Sequence, residues 1–228
     1  MIVNNTLIAI AAGAGLIGFA LFLDKLRKRN GIESEGWAAL FGATGLVLTV
    51  LGFATSITWP YGPGFEYASI AFGEPAAAFG VLLLFAAVYL WRNKALFEGS
   101  TKNATEHAVR ALKPVSIFIF ISGLMMTALA IMWVRFQLGS APKEEPISGL
   151  FHDMPLFEAV FLGALWGVVA LGCLLFPMGL KKLRSGVMTT VITSWLIGGA
   201  VFALFGAMNF YTHIGMFTNI NQKTEYRI

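Results

Sequence analysis

The chain has 228 residues, of which 57% are hydrophobic and only 12% are charged. A typical soluble domain has about 25% charged residues, so this composition indicates an integral membrane protein. The formal net charge of +4 would suggest nucleic acid binding in a soluble protein, but in a membrane protein the basic residues must first be assigned to a side of the membrane. The single cysteine, Cys173, excludes a disulfide within the chain.

Six apolar runs are each long enough to cross a bilayer as a helix, which takes about 20 residues. In chain order the predicted helices cover approximately residues 5–23, 37–58, 71–91, 115–137, 156–178 and 188–212. Basic residues follow the first run instead of preceding it, so we interpret this run as a retained helix and not as a cleaved signal peptide. The sequence therefore predicts an all-α, six-helix transmembrane bundle that forms one integral membrane domain over residues 1–228.

Basic residues concentrate in alternate loops, those that follow the first, third and fifth predicted helices. These loops hold 12 of the 16 Lys and Arg residues. The positive-inside rule places them in the cytoplasm, with both termini outside a plasma (inner) membrane. Anionic lipid attracts such residues, so nucleic acid is not needed as a partner. The residues predicted to contact lipid or the membrane interface are Lys25, Arg27, Lys28, Arg29, Lys181, Lys182, Arg184, Trp59 and Tyr61.

The loop before the fourth predicted helix contains the segment STKNATEHAVRAL, residues 100–112. Its polar start and its composition predict a short surface helix with Ser100 or Thr105 as the cap. Pro114 follows this segment and suits the first position of the fourth membrane helix.

An internal similarity relates two parts of the chain. A shift of 78 residues aligns GLVLTVLG, which starts at Gly45, with GLMMTALA, which starts at Gly123, and a shift longer by six residues brings Glu74 onto Glu158. Predicted helices two and three therefore resemble helices four and five. Because an even number of helices separates the copies, this pattern predicts a parallel repeat. Chance similarity between apolar helices is an equally good explanation.

Two glutamates lie at the predicted outer starts of helices, Glu74 in AFGEPAAAFG and Glu158 in PLFEAVFLG. The helix dipole stabilises a carboxylate in a first turn, and Pro75 suits a first helical position, so a structural role is sufficient for either residue alone. Ionisable residues within membrane helices are costly and usually functional, which makes both acids candidates for binding a cation or a proton. Arg135 could pair with either acid, although an arginine beside Trp133 more simply reaches to the interface.

His152, Asp153 and His213 lie on the same predicted side as the two glutamates. Imidazoles and carboxylates are ligands that zinc, copper or iron accept, so these residues are candidates for a metal site. No HExxH or similar spacing is present, and ordinary interfacial histidines explain the pattern more simply. A b-type haem would need histidines at facing levels within helices, and only His213 approaches such a position. The sequence therefore requires no cofactor, and it identifies no catalytic residue.

With six predicted helices and the segments IAFGEPAAAFGVLLL and PLFEAVFLGALWG, the chain resembles a family of small membrane proteins of unknown function found mostly in actinobacteria. The resemblance covers nearly the whole chain and implies a topology without an activity. Chain size and this type of source also suggest one more specific role, an accessory subunit of an actinobacterial respiratory (cytochrome bcc-aa3) supercomplex.

Three functions are then open, in order of preference. The first is a non-catalytic accessory or scaffolding subunit, with other membrane proteins or further copies of itself as partners, because short loops and few charges suit helix packing. The second is a small-solute or proton/cation-coupled transporter that uses Glu74 and Glu158. The third is a membrane enzyme with an outward-facing metal site built from His152, Asp153, His213 and the two glutamates.

Overall fold

The structure is a computed structural model that describes residues 5–61, 64–98 and 100–222. Seven α-helices and one turn of 3-10 helix account for nearly all of the described residues. The helices are α1 (Asn5–Lys28), α2 (Ser34–Thr58), α3 (Glu66–Arg92), α4 (Lys94–Glu98), α5 (Thr101–Phe136), α6 (Pro155–Lys181) and α7 (Gly186–Asn221), and the 3-10 turn covers Ser148–Phe151. All except α4 are long and apolar enough to cross a membrane. The predicted all-α architecture with six candidate membrane spans is confirmed.

Successive spans run in opposite directions. In α2 and α3, for example, Gly45 lies against Leu84 whereas Gly52 lies against Ala77. We call the end where α1, α3 and α6 finish the basic end, and the end where α2, α5 and α7 finish the acidic end. The alternate loops rich in Lys and Arg all lie at the basic end. That the basic end faces the cytoplasm stays a prediction from the charge pattern.

The six spans form an open ring. Helix α1 packs against α2 and α7, α2 packs against α3, and α7 packs against α6, which in turn packs against α5. Helices α3 and α5 are the two ends of the ring and touch only slightly. A gap between α3 and α5 therefore opens the interior of the bundle on one side.

The pairs α2–α3 and α5–α6 have the most extensive contacts in the bundle. Each pair runs from the basic end to the acidic end and back, which is the arrangement that a parallel repeat requires. The details of packing differ, since a Cβ at Gly45 would meet the backbone of α3 whereas one at Gly123 would meet the side chains of Cys173 and Leu174. The repeat itself stays a prediction.

Helix α5 is longer than the sequence indicated. It is continuous from Thr101, so the segment interpreted as a separate surface helix forms its first turns and Pro114 lies inside the helix. Proline removes one backbone donor, and membrane helices accommodate this loss through local adjustments and hydroxyl side chains. In α5 the missing donor is the one that would bond the Arg110 carbonyl oxygen, and the nearby Ser116 Oγ donates to a different one, the Lys113 carbonyl oxygen, at 2.7 Å.

Helix α3 also starts earlier than predicted. It begins at Glu66, so Glu74 and Pro75 lie about two turns inside the helix, and the first-turn interpretation of both residues is wrong. A long-range contact stabilises the additional turns, because the Tyr67 ring packs edge-on against Trp133 of α5 with centroids 5.7 Å apart. The helix dipole acts within the first turn and therefore does not explain Glu74.

Glycines bring helix backbones into direct contact, most closely in two helix pairs. A Cβ at Gly52 of α2 would lie 2.4 Å from the Ala77 backbone nitrogen of α3. A Cβ at Gly13 of α1 would lie 2.5 Å from the Ala203 backbone nitrogen of α7. Neither distance is compatible with a side chain. Small residues at such positions are a usual basis of close helix packing in membranes.

We expect Gly52→Ala to lower the free energy of unfolding by about 1–3 kcal/mol, because extra atoms in a packed interface force the helices apart. The matched control is Gly167→Ala in α6, where no atom of another residue lies within 4 Å of the added Cβ. Replacing a helical glycine by alanine favours the helix by up to about 1 kcal/mol, so the control should be neutral or slightly stabilising. Thermal unfolding in detergent measures both variants, and equal stability would contradict direct contact between α2 and α3.

Candidate functional site

The loop between α5 and α6 carries a buried carboxylate that packs on the end of α7. Glu145 is only 7% exposed, and its Oε1 accepts a hydrogen bond from the Thr212 Oγ1 at 2.8 Å. The Nε2 of His213 lies 3.6 Å from the same oxygen. The Asn219 Nδ2 donates to the Glu144 carbonyl oxygen at 2.8 Å. Side chains of α7 therefore hold this loop over the acidic end of the bundle.

Glu158 and His152 stabilise the other side of the loop. Glu158 lies in the first turn of α6, as its sequence position indicated, and its Oε2 accepts a hydrogen bond from the Ala141 backbone nitrogen at 2.7 Å. The His152 Nδ1 donates to the Ala141 carbonyl oxygen at 2.7 Å. The Ser140 Oγ donates to the His152 carbonyl oxygen at 3.1 Å. Both side chains thus have structural partners within one loop.

The transport candidates are not gathered into one site. Glu74 is exposed on α3, and Arg135 is exposed at the acidic end of α5, with its guanidinium carbon 5.9 Å from the centre of the Phe136 ring. Within the described ranges no ion pair joins Arg135 to Glu74 or Glu158. A transport path through these residues stays a prediction without support from their arrangement.

The metal candidates have separate partners. His152 bonds a backbone carbonyl, His213 lies beside Glu145, and Asp153 is exposed. Of the residues that the structure describes, no group of three or more His, Cys, Asp and Glu side chains is placed to hold a metal ion. The metal-enzyme hypothesis likewise stays a prediction. Sequence reasoning missed Glu145, because nothing in the segment PKEEP distinguishes it from Glu144.

The residues predicted to contact the interface lie at both ends. Trp59 at the acidic end is 46% exposed, as an interfacial residue would be. Tyr61 differs, since it is 8% exposed and packs against Phe72 with ring centroids 6.2 Å apart. The basic residues predicted to contact lipid all lie at the basic end, on the last turn of α1 and directly after it, at the end of α6 and in the loop after α6.

A long cavity, which we call the chamber, lies inside the open ring of helices. Its volume is about 430 Å³, within the range of about 300–1,000 Å³ that is typical of ligand pockets. Side chains of α1, α3, α5, α6 and α7 and one ring from α2 line it. On α1 the lining runs from Asn5 to Phe22, roughly 25 Å at about 1.5 Å per residue. The chamber thus extends through most of a hydrocarbon layer about 30 Å thick.

Apolar side chains form nearly all of the chamber wall. The amides of Asn5 and Asn209, at the acidic end, are the main polar exceptions. Both Oδ1 atoms are buried and accept no hydrogen bond from the described residues, and Asn209 as a whole is only 3% exposed. Near the basic end, the hydroxyl of Tyr89 is hydrogen-bonded to the His107 Nδ1. The chamber therefore combines a long apolar wall with two unpaired amide oxygens near one end.

The gap between α3 and α5 opens the chamber sideways. Phe85 of α3 belongs to the lining and is 71% exposed, and Ser122 and Met125 of α5 line the chamber while partly exposed. These residues lie well inside membrane-spanning helices, so the opening leads to the hydrocarbon of the bilayer. The lining includes neither Glu74 nor Glu158.

Burial, the largest effect, raises the pKa of the Glu145 carboxyl above its usual range. The hydrogen bond from Thr212 opposes this rise, and the charge of Glu158 adds to it. A folded-state pKa above the unfolded value of about 4.3 means that the folded protein binds more protons between the two values. The free energy of unfolding should therefore fall as the pH rises through that window.

We expect Glu145→Gln to remove this part of the pH dependence and to be at least as stable as the wild type at neutral pH, because the amide oxygen still accepts from Thr212. Glu144→Gln on the same loop is the control and should keep the dependence. Unfolding measured over the weakly acidic to neutral range tests this. An unchanged profile in Glu145→Gln would show that Glu145 does not titrate as its burial indicates.

The comparison with family models places the chain among related proteins. The model described as "Protein of unknown function (DUF981)" matches residues 1–216, which covers the first five spans and most of α7. No curated protein and no solved structure gave a match. The resemblance to a family of unknown function is thereby confirmed, and the description of the family names no activity. The chain belongs to the DUF981 family of proteins of unknown function.

Proposed function

We propose that the protein is a non-catalytic membrane protein that binds a long-chain, lipid-soluble molecule in the chamber. The molecule enters from the bilayer through the gap between α3 and α5. One observation carries the proposal, namely an apolar cavity of about 430 Å³ that extends through most of the hydrocarbon layer and opens to its side.

The dimensions of the chamber favour a single chain over a helix of a partner protein. An α-helix with its side chains is about 10 Å wide. The chamber has about 430 Å³ along a length of roughly 25 Å, so it is on average narrower than such a helix. A narrow acyl or isoprenoid chain fits both the length and the volume.

The two amides indicate a polar group at one end of the ligand. A buried polar group without a partner costs about 1–3 kcal/mol. The amides of Asn5 and Asn209 both line the chamber, and a hydroxyl, carbonyl or carboxylic acid placed between them would remove this cost. An amide can both donate and accept, so each of these end groups is compatible.

Selectivity has to come from shape and hydrogen bonding. Lipid tails are as apolar as the chamber wall, so moving a chain from the bilayer into the chamber gains no hydrophobic free energy. The aromatic rings of Phe19, Phe79, Trp166 and Trp195 provide a dense wall, where dispersion contacts add up along the chain. The ligand is therefore expected to be retained because it fits this wall and bonds the amides.

The first test fills the chamber. We expect the purified wild type to retain about one chain-bearing molecule per protein, the occupancy of a single-site pocket. Ala111→Phe should retain several-fold less, because Ala111 lines the chamber. Ala128→Phe is the matched control, since Ala128 is exposed on the same helix and lies outside the lining. Solvent extraction followed by mass spectrometry measures the retained molecule.

The same measurement tests the polar end. Asn209→Leu keeps the side-chain volume and removes the hydrogen bond, so retention should weaken roughly tenfold. Asn221→Leu at the exposed end of α7 is its control. Recovery of only bulk membrane lipids, or equal retention in Ala111→Phe and Ala128→Phe, would contradict the proposed function.

An accessory-subunit role is a second proposal, and α5 provides the observation in its favour. Only 22% of the most apolar stretch of α5 is buried within the bundle, the smallest share among the six spans. Large apolar side chains, including Phe118 and Leu124, are exposed on it. The actinobacterial respiratory supercomplex, and a second copy of the chain, are the proposed partners in a plasma membrane whose cytoplasmic side faces the basic end.

A subunit is expected to co-purify with a larger complex at a fixed ratio in a mild detergent. Phe118→Ala combined with Leu124→Ala should weaken this association without changing stability, because both side chains are exposed in the isolated chain. The matched control is Phe53→Ala with Leu46→Ala, which are exposed on α2. Mass spectrometry of the purified material measures the ratio. A monomer free of partners under all mild conditions would contradict the proposal.

A further inference from the structure

A second opening, which we call the basic recess, lies at the basic end between α1, α5 and α6. Its volume is about 680 Å³, and it is open to the surroundings. A single acid, Glu106, belongs to its lining. The basic residues that line it are Arg27, Arg29, Arg110, Lys181, Lys182 and Arg184.

The fold brings these basic residues together from three separate parts of the chain. The Arg184 Nε donates to the Arg27 carbonyl oxygen at 3.1 Å, which fixes the loop after α6 against the end of α1. Arg27 already has partners, since its guanidinium pairs with Asp24 at 2.5 Å and donates to the Thr189 Oγ1 at 2.8 Å. In the part of the chain that the structure describes, the other basic residues of the recess form no ion pair. The recess therefore keeps an excess of positive charge.

Apolar residues form the rest of the wall. Leu26, Val109, Leu180 and Leu183 line the recess between the charged side chains. A wall of this kind suits a molecule with an anionic group and an attached hydrocarbon part better than a free anion. The recess also lies where α1 and α6 end, which is the depth of lipid headgroups in a protein that crosses the bilayer.

We propose that the basic recess binds the phosphate-bearing headgroup of an anionic phospholipid. Arginine matches phosphate with two parallel hydrogen bonds, and lysine adds a point charge. Basic pockets between membrane helices are a recognised way to hold such headgroups. Arg27 is already paired with Asp24 and Thr189 through its terminal nitrogens. Arg110 and Arg184 each use only Nε, to donate to a backbone carbonyl oxygen, so their terminal nitrogens and the Arg29 guanidinium are available for this role.

The basic recess is separate from the chamber, so this inference is independent of the proposed function. On α5, Ala108 and Ala111 line the chamber, whereas Glu106 and Arg110 line the recess. The two sites thus use different faces of one helix. Because α1 and α5 have few direct contacts, a lipid bound between them adds a connection that the chain itself does not make.

The test compares two triple variants with the same loss of charge. The recess variant is Arg110→Gln, Lys181→Gln and Lys182→Gln. The control replaces one arginine and two lysines that are exposed near the same end and line neither opening; it combines Arg92→Gln, Lys102→Gln and Lys113→Gln. Short-chain phosphatidylglycerol, short-chain phosphatidylcholine and inorganic phosphate are the three probes, and the shift of the thermal unfolding midpoint reports binding.

Phosphatidylglycerol should raise the unfolding midpoint of the wild type and saturate, whereas the other two probes should have little effect. The apparent affinity should fall at least about tenfold in the recess variant, since each Lys or Arg near an anionic lipid contributes about a fivefold factor. The control variant should keep most of the affinity. If the recess triple does not fold, Lys182→Gln against Lys102→Gln makes the same comparison, with a several-fold loss expected in the former.

Each of three other results would overturn the proposal. An equal effect of phosphatidylcholine would show that the charge of the headgroup is not recognised. An equal effect of inorganic phosphate would make a free anion the occupant. An equal loss of affinity in the control variant would show a general charge effect with no site at the recess.

Discussion

Backbone contact between helices at glycines is the constraint on which the rest of the bundle depends. Two apolar helices in a bilayer gain little by leaving lipid for each other, so their association relies on close packing. Gly13 and Gly52 allow this between α1 and α7 and between α2 and α3. Helix α3 is held mainly by α2 and helix α5 mainly by α6, and these two ends of the ring touch only slightly. The gap between α3 and α5, and the chamber behind it, follow from this open arrangement.

Polar interactions organise the two ends of the bundle in different ways. At the acidic end Glu145 and Glu158 accept hydrogen bonds from other parts of the chain, and these bonds fix the loop between α5 and α6. At the basic end most of the arginines and lysines around the recess have no acidic partner in the described ranges. Of the two glutamates predicted to be functional, Glu158 thus has a structural role. Several of the basic residues that predicted the orientation in the membrane line an opening.

Hydropathy predicted the six spans because each is a local run of apolar residues, and the charge pattern predicted the alternation of basic loops for the same reason. The start of α3 was misplaced because the turns before Glu74 depend on Tyr67 packing against Trp133, a contact between helices distant in sequence. Nothing in the sequence distinguishes Glu145 from Glu144. The hydrogen bond from Thr212 to Glu145 distinguishes them, and it exists only once α7 packs against the loop. The lining of the chamber comes from six helices that are distant in sequence, so no local sequence pattern predicts it.

The depth of Asn5 and Asn209 has a consequence for the two leaflets of the membrane. Both amides lie near the acidic end, so a ligand bonded to them has its polar group in the leaflet on that side and its tail extending across the midplane. The basic recess lies at the opposite end and contacts only the other leaflet. The two proposed sites would therefore take their ligands from different leaflets, although α1, α5 and α6 line both of them.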